Sequence, residues 1–208
     1  MTSSILAIVG AGGHARVVAD TALEAGWKDV AFFDDRYPEI RETGPWRVSG
    51  TVSDLYNRMS EYGGVIVAIG DNDVRLRHHL ALAEQRAVMA SVVHPRAWVS
   101  SRSKIGPGVT LCAGSVVNVG AVVGAACIVN TGATVDHDCE LGEAVHVAPG
   151  AHLSGNVRVG PRSWIGVGAT VRQGIRIGTG VMVGAGAVVV SDLPDGVVAI
   201  GCPARPRS

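Results

Sequence analysis

The sequence predicts a two-part chain, a small α/β unit followed by an all-β solenoid. Two observations carry this reading. An aliphatic residue recurs at every sixth position from Val93 to Val189, and the stretch before that run alternates short apolar strands with helical patterns around glycine turns.

The first element is the apolar strand Ile5 to Val9, which leads into Gly10-Ala-Gly-Gly-His14. Val17, Val18, Thr21, Ala22 and Ala25 then recur with helical spacing up to Gly26, a residue suited to a helix C-terminus. Val30 to Phe33 gives a second strand ending in Asp34-Asp35, and Val65 to Ile69 a third ending in Gly70. A helix is expected over Asn72 to Arg86, capped by Asp71 or Asn72. The segment Arg36 to Gly50, rich in Pro, Gly and charge, shows no decodable motif and is expected at the mouth of a site.

The glycine turn opens a helix, so its backbone N–H groups can meet a phosphate, and the acidic pair lies where such folds meet a ribose or base. A nucleotide-like ligand is the expectation. Gly10-x-Gly12-x-x-Ala15 with an acid about 20 residues on also fits the dinucleotide fingerprint of NAD enzymes. Too few residues precede the repeat for two mononucleotide-binding halves and a substrate domain, and the solenoid offers no hydride chemistry. A turn that binds nothing is the bland alternative, against which His14 inside the turn weighs.

From Val93 onward, neither the helical period nor the strand period explains a spacing of six. Short straight segments joined by tight turns do. The residue four places after each stripe member is small or aliphatic, as at Ser115, Ala133, Cys139, Ala151, Ala169 and Ala187, and Gly often follows the stripe residue directly. If three hexads close one turn of a triangular coil, residues 18 apart stack at the inter-strand spacing of roughly 4.8 Å. That rule converts spacing into geometry. Asn130 and His146 should share a side, His137 should stack against Gly155, and His137 and His146 should lie on different sides of one prism. His137, His146 and His152 are expected to point outward.

Composition excludes several classes. Lys plus Arg equals Asp plus Glu at 18 each in 208 residues, so no overall field invites nucleic acid or an anionic membrane. The run Met1 to Gly10 lacks a basic targeting region, and no stretch is apolar enough to span a bilayer, so a soluble cytoplasmic protein is expected. Cys127 and Cys139 occupy inward positions of the repeat as small hydrophobes, and no Cys/His metal spacing appears. His78 and His79 read as surface residues of their helix, and His94 before Pro95 marks the junction of the two parts.

His137 lies between Asp136 and Asp138, and a carboxylate beside an imidazole can fix its tautomer and stabilise the imidazolium. That is the shape of a general base near neutral pH. A solvated surface histidine between acids is the rival. A site using His137 together with Asn130, His146 and Gly155 would have to lie between chains.

Gly10-Ala-Gly-Gly-His14, Phe33-Asp34-Asp35, Ala68-Ile-Gly70-Asp-Asn72, Asn130-Thr-Gly-Ala-Thr-Val-Asp-His137-Asp138, His146 and Ile200-Gly-Cys-Pro-Ala204 together resemble the bacterial nucleotide-aminosugar N-acetyltransferases of the hexapeptide-repeat sugar acyltransferases. That family includes the diacetylbacillosamine and N-acetylperosamine enzymes and is similar to sialic acid O-acetyltransferases. The resemblance implies a small Rossmann-like nucleotide-sugar-binding domain over residues 1–92, then a left-handed parallel β-helix over 93–208. It also implies a homotrimer with acetyl-CoA in clefts between neighbouring coils, and no metal.

By motif, the resemblance makes His137 the base toward the sugar amine and Asp138 its orienter. Many relatives carry Glu there, so Asp136 stays an alternative. It implies that Asn130 and His146 place the acetyl and pantetheine end, that the Gly155 N–H meets the thioester oxygen, and that backbone near Val167 and Ala185 lines the coenzyme groove. Gly12, Gly13, His14, Asp34, Asp35 and Gly70 resemble the residues that hold the nucleotide sugar. Sialic acid or other sugar O-acetylation, and a non-catalytic trimeric scaffold, are the competing functions.

Overall fold

A computed structural model describes residues 4–207, so Met1 to Ser3, part of the run read for targeting, lie outside the described residues. The chain divides into two compact units, one ending at Pro95 and the next beginning at Arg96. His94 sits just before that division.

The first unit is built on β1 (Ile5–Val9), β2 (Asp29–Phe33), β3 (Glu42–Thr43), β4 (Trp46–Gly50) and β5 (Gly64–Val67), ordered β3-β4-β2-β1-β5. Three helices accompany them, α1 (Gly13–Glu24), α2 (Val52–Arg58) and α3 (Asn72–Glu84). Only the β3–β4 pair is antiparallel. Successive side chains of a strand face opposite sides, so β1 feeds two cores. Leu6 and Ile8 pack with Ala15, Val18, Ala19 and Ala22 of α1, while Ala7 and Val9 pack with Val52, Leu55 and Leu82 of α2 and α3. A strand apolar on both faces is what the unbroken run ILAIV encodes.

The structure supplies elements that the sequence reading lacked. The undecoded segment forms the β3–β4 hairpin, and α2 follows it through a capping box: the Thr51 hydroxyl accepts from the Asp54 N–H at 3.1 Å, and the Thr51 N–H donates back to Asp54 at 2.8 Å. Asp71 caps α3 by accepting from the Val74 N–H at 2.9 Å. His79 is buried, contrary to expectation, because Arg75, His79 and Leu82 form the inner face of α3. Polar residues on that face hid its periodicity.

In the second unit, two-residue strands up to Val189 stack in parallel at an offset of 18 residues, as in Val116↔Thr134, Val122↔Glu140 and Ile128↔His146, which belong to three separate sheets. Leu111, Val117, Val123, Val129, Val135, Leu141, Val147 and the stripe residues through Val189 are all buried, whereas Val99 and Ile105 in the first coil are half-buried. Cys127 and Cys139 are buried, and their thiols donate to the carbonyls of Gly142 at 3.0 Å and Ser154 at 3.1 Å. Among the described residues, no helix is long and apolar enough to cross a membrane.

The glycines after the stripe have a steric cause on one side of the coil. Gly106, Gly124, Gly142, Gly160 and Gly178 form a column in which each Cα faces the backbone of the next coil. A Cβ on Gly124 would stand 2.7 Å from the Gly142 carbonyl carbon and 2.9 Å from the Glu143 nitrogen. Backbone of a stacked coil cannot yield as a side-chain tip would. Gly124→Ala should therefore lower unfolding stability by about 1–3 kcal/mol, the usual cost of overpacking, read as a drop in thermal midpoint. An unchanged midpoint would show that the stack can open there without cost.

Candidate active site

In the first unit, one cavity of about 500 Å³ gathers the Gly10–His14 loop, Asp34 to Arg36, Val52, the turn Ala68 to Gly70, and His78. All six residues proposed from sequence to hold a nucleotide sugar line it: Gly12, Gly13, His14, Asp34, Asp35 and Gly70. The N-terminus of α1 opens onto it with no side-chain cap, so its amides and helix dipole favour an anionic group.

The two acids serve the protein's own loops first. Asp34 accepts from the Ala11 N–H at 2.8 Å and takes the Arg36 guanidinium as a fork, Nε at 2.9 Å and Nη2 at 2.8 Å. Hydrogen bonding from Arg36 holds the Asp34 carboxyl below its ordinary range. Asp35 accepts from the Val52 N–H at 3.0 Å, at the start of α2. Both carboxylates thus shape the mouth, one closing the glycine loop and the other anchoring α2. His14 is half-buried with its Nε2 shut off from solvent, and this burial together with the charge of Arg75 pushes its imidazole down to about 4, leaving a neutral ring at neutral pH. Arg36, Val52, Ile69 and His78 line the cavity without having been singled out from sequence as ligand-holding residues.

In the second unit, His137 occupies the turn after the strand Thr134–Val135. Its Nδ1 lies 2.9 Å from Asp138 Oδ2, and both side chains are more than half exposed. Asp136 points elsewhere: its Oδ1 accepts from the His137 backbone N–H at 2.7 Å and from Asn118 Nδ2 at 2.8 Å. One acid therefore contacts the ring, and the other sets the backbone of the turn. Asp138 adopts φ 58°, a left-handed conformation that Asp tolerates better than most residues.

The coil packs around this pair. The Asn156 N–H donates to the His137 carbonyl at 2.9 Å, which fixes the 18-residue stack. A Cβ on Gly155 would collide with the His137 ring, and one on Gly120 with the Asp138 carboxylate. Missing side chains in the coils on either side make the seat. A bonded carboxylate and the nearby charges of Asp136 and Asp138 raise the His137 pKa above the ordinary 6.5, the hydrogen bond to Asp138 being the largest cause.

Asn130 and His146 meet on another side. Asn130 Nδ2 lies 3.1 Å from His146 Nε2, while Asn130 Oδ1 accepts from the Thr131 N–H at 2.8 Å. The amide nitrogen can only donate, so Nε2 accepts and the His146 ring carries its proton on Nδ1. His146 stands on the outward position of its strand, as expected, and is buried there. Trp164, one coil on, covers it with ring centroids 4.1 Å apart.

Val167 and Ala185 are exposed turn residues on the corner that follows Asn130. Hydrogen bonds link the column Thr131, Pro149, Val167 and Ala185 through Gly150, Gly168 and Gly186 at 2.9, 3.0 and 2.8 Å. His152 is exposed, with Nδ1 2.9 Å from the Thr134 hydroxyl. Among the described residues, no group of three or more His, Cys, Asp or Glu side chains is placed to hold a metal ion.

This geometry has close counterparts. The family model for the PglD N-terminal domain matches residues 5–81. Along 98% of the chain, the structure is similar to the acetyltransferase domain of PglB from Neisseria gonorrhoeae, at 42% identity, 100% coverage of that chain and a TM-score of 0.93. The chain belongs to the nucleotide-aminosugar acetyltransferase family. The PglB domain is also known in complex with acetyl coenzyme A. PerB from Caulobacter crescentus, in complex with CoA and GDP-perosamine, is 39% identical over 98% of this chain and 97% of that one, with a TM-score of 0.92. WeeI from Acinetobacter baumannii is 27% identical over 98% and 99%, with a TM-score of 0.87.

The raised His137 pKa sets a direct expectation. In Asp138→Asn the carboxylate that favours the imidazolium is gone, so the His137 titration midpoint should move down toward the ordinary 6.5. Ring-proton NMR against pH reads this. An upward shift, or none, would show that Asp136 rather than Asp138 governs the ring.

Proposed function

We propose that the protein transfers the acetyl group of acetyl-CoA to the amine of a nucleotide-linked amino sugar, as a cytoplasmic homotrimer whose sites lie between neighbouring chains. The observation that carries this is the seating of His137 and Asp138 on one corner of the coil, with Asn130 and His146 on another. Each chain holds both parts of one machine, and the 18-residue register keeps them on separate sides of the same prism. A rotationally symmetric assembly brings the His137 corner of one copy to the Asn130 corner of the next.

In this reading the neutral His137 takes a proton from the amine through Nε2 as the nitrogen attacks the thioester carbon. Asp138 on Nδ1 stabilises the imidazolium that results. The Gly155 N–H meets the oxygen as it gains negative charge. Collapse forms the amide, breaks the C–S bond and releases CoA, whose thiolate recovers the proton from His137. Asn130 and His146 place the acetyl and pantetheine end, and the Val167–Ala185 edge follows the coenzyme. The cavity of the first unit takes the nucleotide sugar, with the diphosphate at the N-terminus of α1. The relatives support the substrate class, since PerB is known with CoA and GDP-perosamine. Cys112, Cys127, Cys139 and Cys202 are all free thiols, which suits a reducing compartment.

His137→Ala should lose about 10² to 10⁴-fold in turnover while keeping its fold, since the side chain is exposed. His146→Ala should also be impaired. Co-assembly of equal amounts of the two variants then creates interfaces with one intact copy of each residue, about one in four, so roughly a quarter of wild-type activity should return. Mixed assemblies no more active than their parents would place the whole site within one chain.

Gly155→Ala tests the seat of the base. The new methyl displaces an exposed ring that can swing into solvent, so the thermal midpoint should hold while kcat falls by roughly 10- to 100-fold. Full activity would mean that the base is not held against this turn.

A further inference from the structure

Arg75 stands out among the residues that the proposed reaction leaves unused. It lies on the inner face of α3, 1% exposed, and is the largest of the fully buried side chains. A guanidinium is costly to bury, and it is tolerated where its donors are met. Here Nη1 donates to the carbonyls of Ile69 and Gly70, each at 2.9 Å, and Nη2 to Asn72 Oδ1 at 2.7 Å. Both carbonyls belong to the turn between β5 and α3, and that turn is a wall of the nucleotide-sugar cavity.

The opposite wall rests on the same turn. A Cβ on Gly10 would fall 2.9 Å from Ile69 Cγ1 and 3.1 Å from the Ala68 carbonyl, so the glycine loop lies in close contact with it. The Ala68 N–H donates to the Val9 carbonyl at 2.8 Å, and Gly10 N–H to Phe33 at 2.8 Å. Loop and turn are thereby tied to adjacent strands, but past Val67 the strand has ended. Arg75 holds both carbonyls there from beneath. One guanidinium nitrogen meets both carbonyls while the other reaches Asn72, so the planar group fixes the turn and the start of α3 together, which a lysine ammonium cannot do with the same geometry.

The geometry points to Arg75 as a positioning residue for the nucleotide sugar: by tying the Ile69–Gly70 turn to α3, it sets the wall against which the Gly10–His14 loop closes. This rests on the reading of the cavity given above. His14 adds a second link, because the Arg75 charge, after burial, is what keeps that imidazole neutral. Arg75 touches no reacting atom. Its effect should fall on nucleotide affinity alone.

The test uses full-length Arg75→Met and Arg75→Lys, with UDP and GDP as calorimetric probes and steady-state kinetics in both substrates. For whichever nucleotide the wild type binds, Arg75→Met should weaken affinity about tenfold, with a matching rise in KM for the nucleotide amino sugar. Arg75→Lys should lie between. The KM for acetyl-CoA and kcat should stay within about twofold. Loss of both substrates' affinities in parallel, or of kcat, would mark Arg75 as merely structural and overturn the proposal. Unchanged nucleotide affinity in a folded Met variant would do the same. If Arg75→Met fails to fold, the Lys variant decides, since wild-type affinity there would show that the planar hold on both the turn and Asn72 is unnecessary and would overturn the proposal. Wild-type protein that binds neither nucleotide would instead remove the pocket reading, and this proposal with it.

Discussion

The parallel stacking of each short strand on the one 18 residues later is the interaction on which the second unit depends. Every coil is closed by side chains that point inward, but the coil is located only by its backbone ladder to the coils before and after. Register is therefore a position code. It places Gly155 against His137, Gly120 against Asp138, Trp164 over His146 and Asn130 beside His146. An insertion of one residue in a turn would swing every later side chain out of its column. The same rigidity that resists such change holds His137 and Asp138 within hydrogen-bond distance on a surface turn, where loops are otherwise free to move.

Glycine has two uses in this stack, and they should be kept apart. On the side of Gly106 to Gly178 it lets backbones approach, which is a matter of stability. At Gly155 and Gly120 it leaves room for functional side chains in the neighbouring coil. In the sequence both read simply as glycine. Only the identity of the atom that a Cβ would meet, backbone in one case and imidazole or carboxylate in the other, tells them apart.

Much of this was legible because the ruler is exact. The inward stripe, the Asn130–His146 pair and the contact of His137 with Gly155 follow from counting in sixes and eighteens. What failed did so for physical reasons. Cover was not legible: His146 faces outward as its strand position predicts, yet the coil above supplies an indole over it, and alternation alone carries no information on what lies overhead. His79 was read as exposed because the inner face of α3 includes Arg75, so the apolar periodicity that marks a buried face is broken. The β3–β4 hairpin and α2 were missed although Thr51 and Asp54 have the spacing of a capping box.

Two of the histidines in the coil show how one residue type is given two environments. His137 stands exposed with a carboxylate on Nδ1 and a second at its backbone, so its environment favours taking up a proton. His146 lies under Trp164 with Nε2 bound to an amide that can only donate, so its environment selects one neutral tautomer. Water reaches the first and is excluded from the second. In the proposed reaction a base has to reach an incoming amine, which requires exposure, whereas a group that places a substrate works best with a fixed hydrogen-bond direction, which requires cover. Burial and partner choice, both set by the coil register, suit the two rings to the separate roles proposed for them before any substrate arrives.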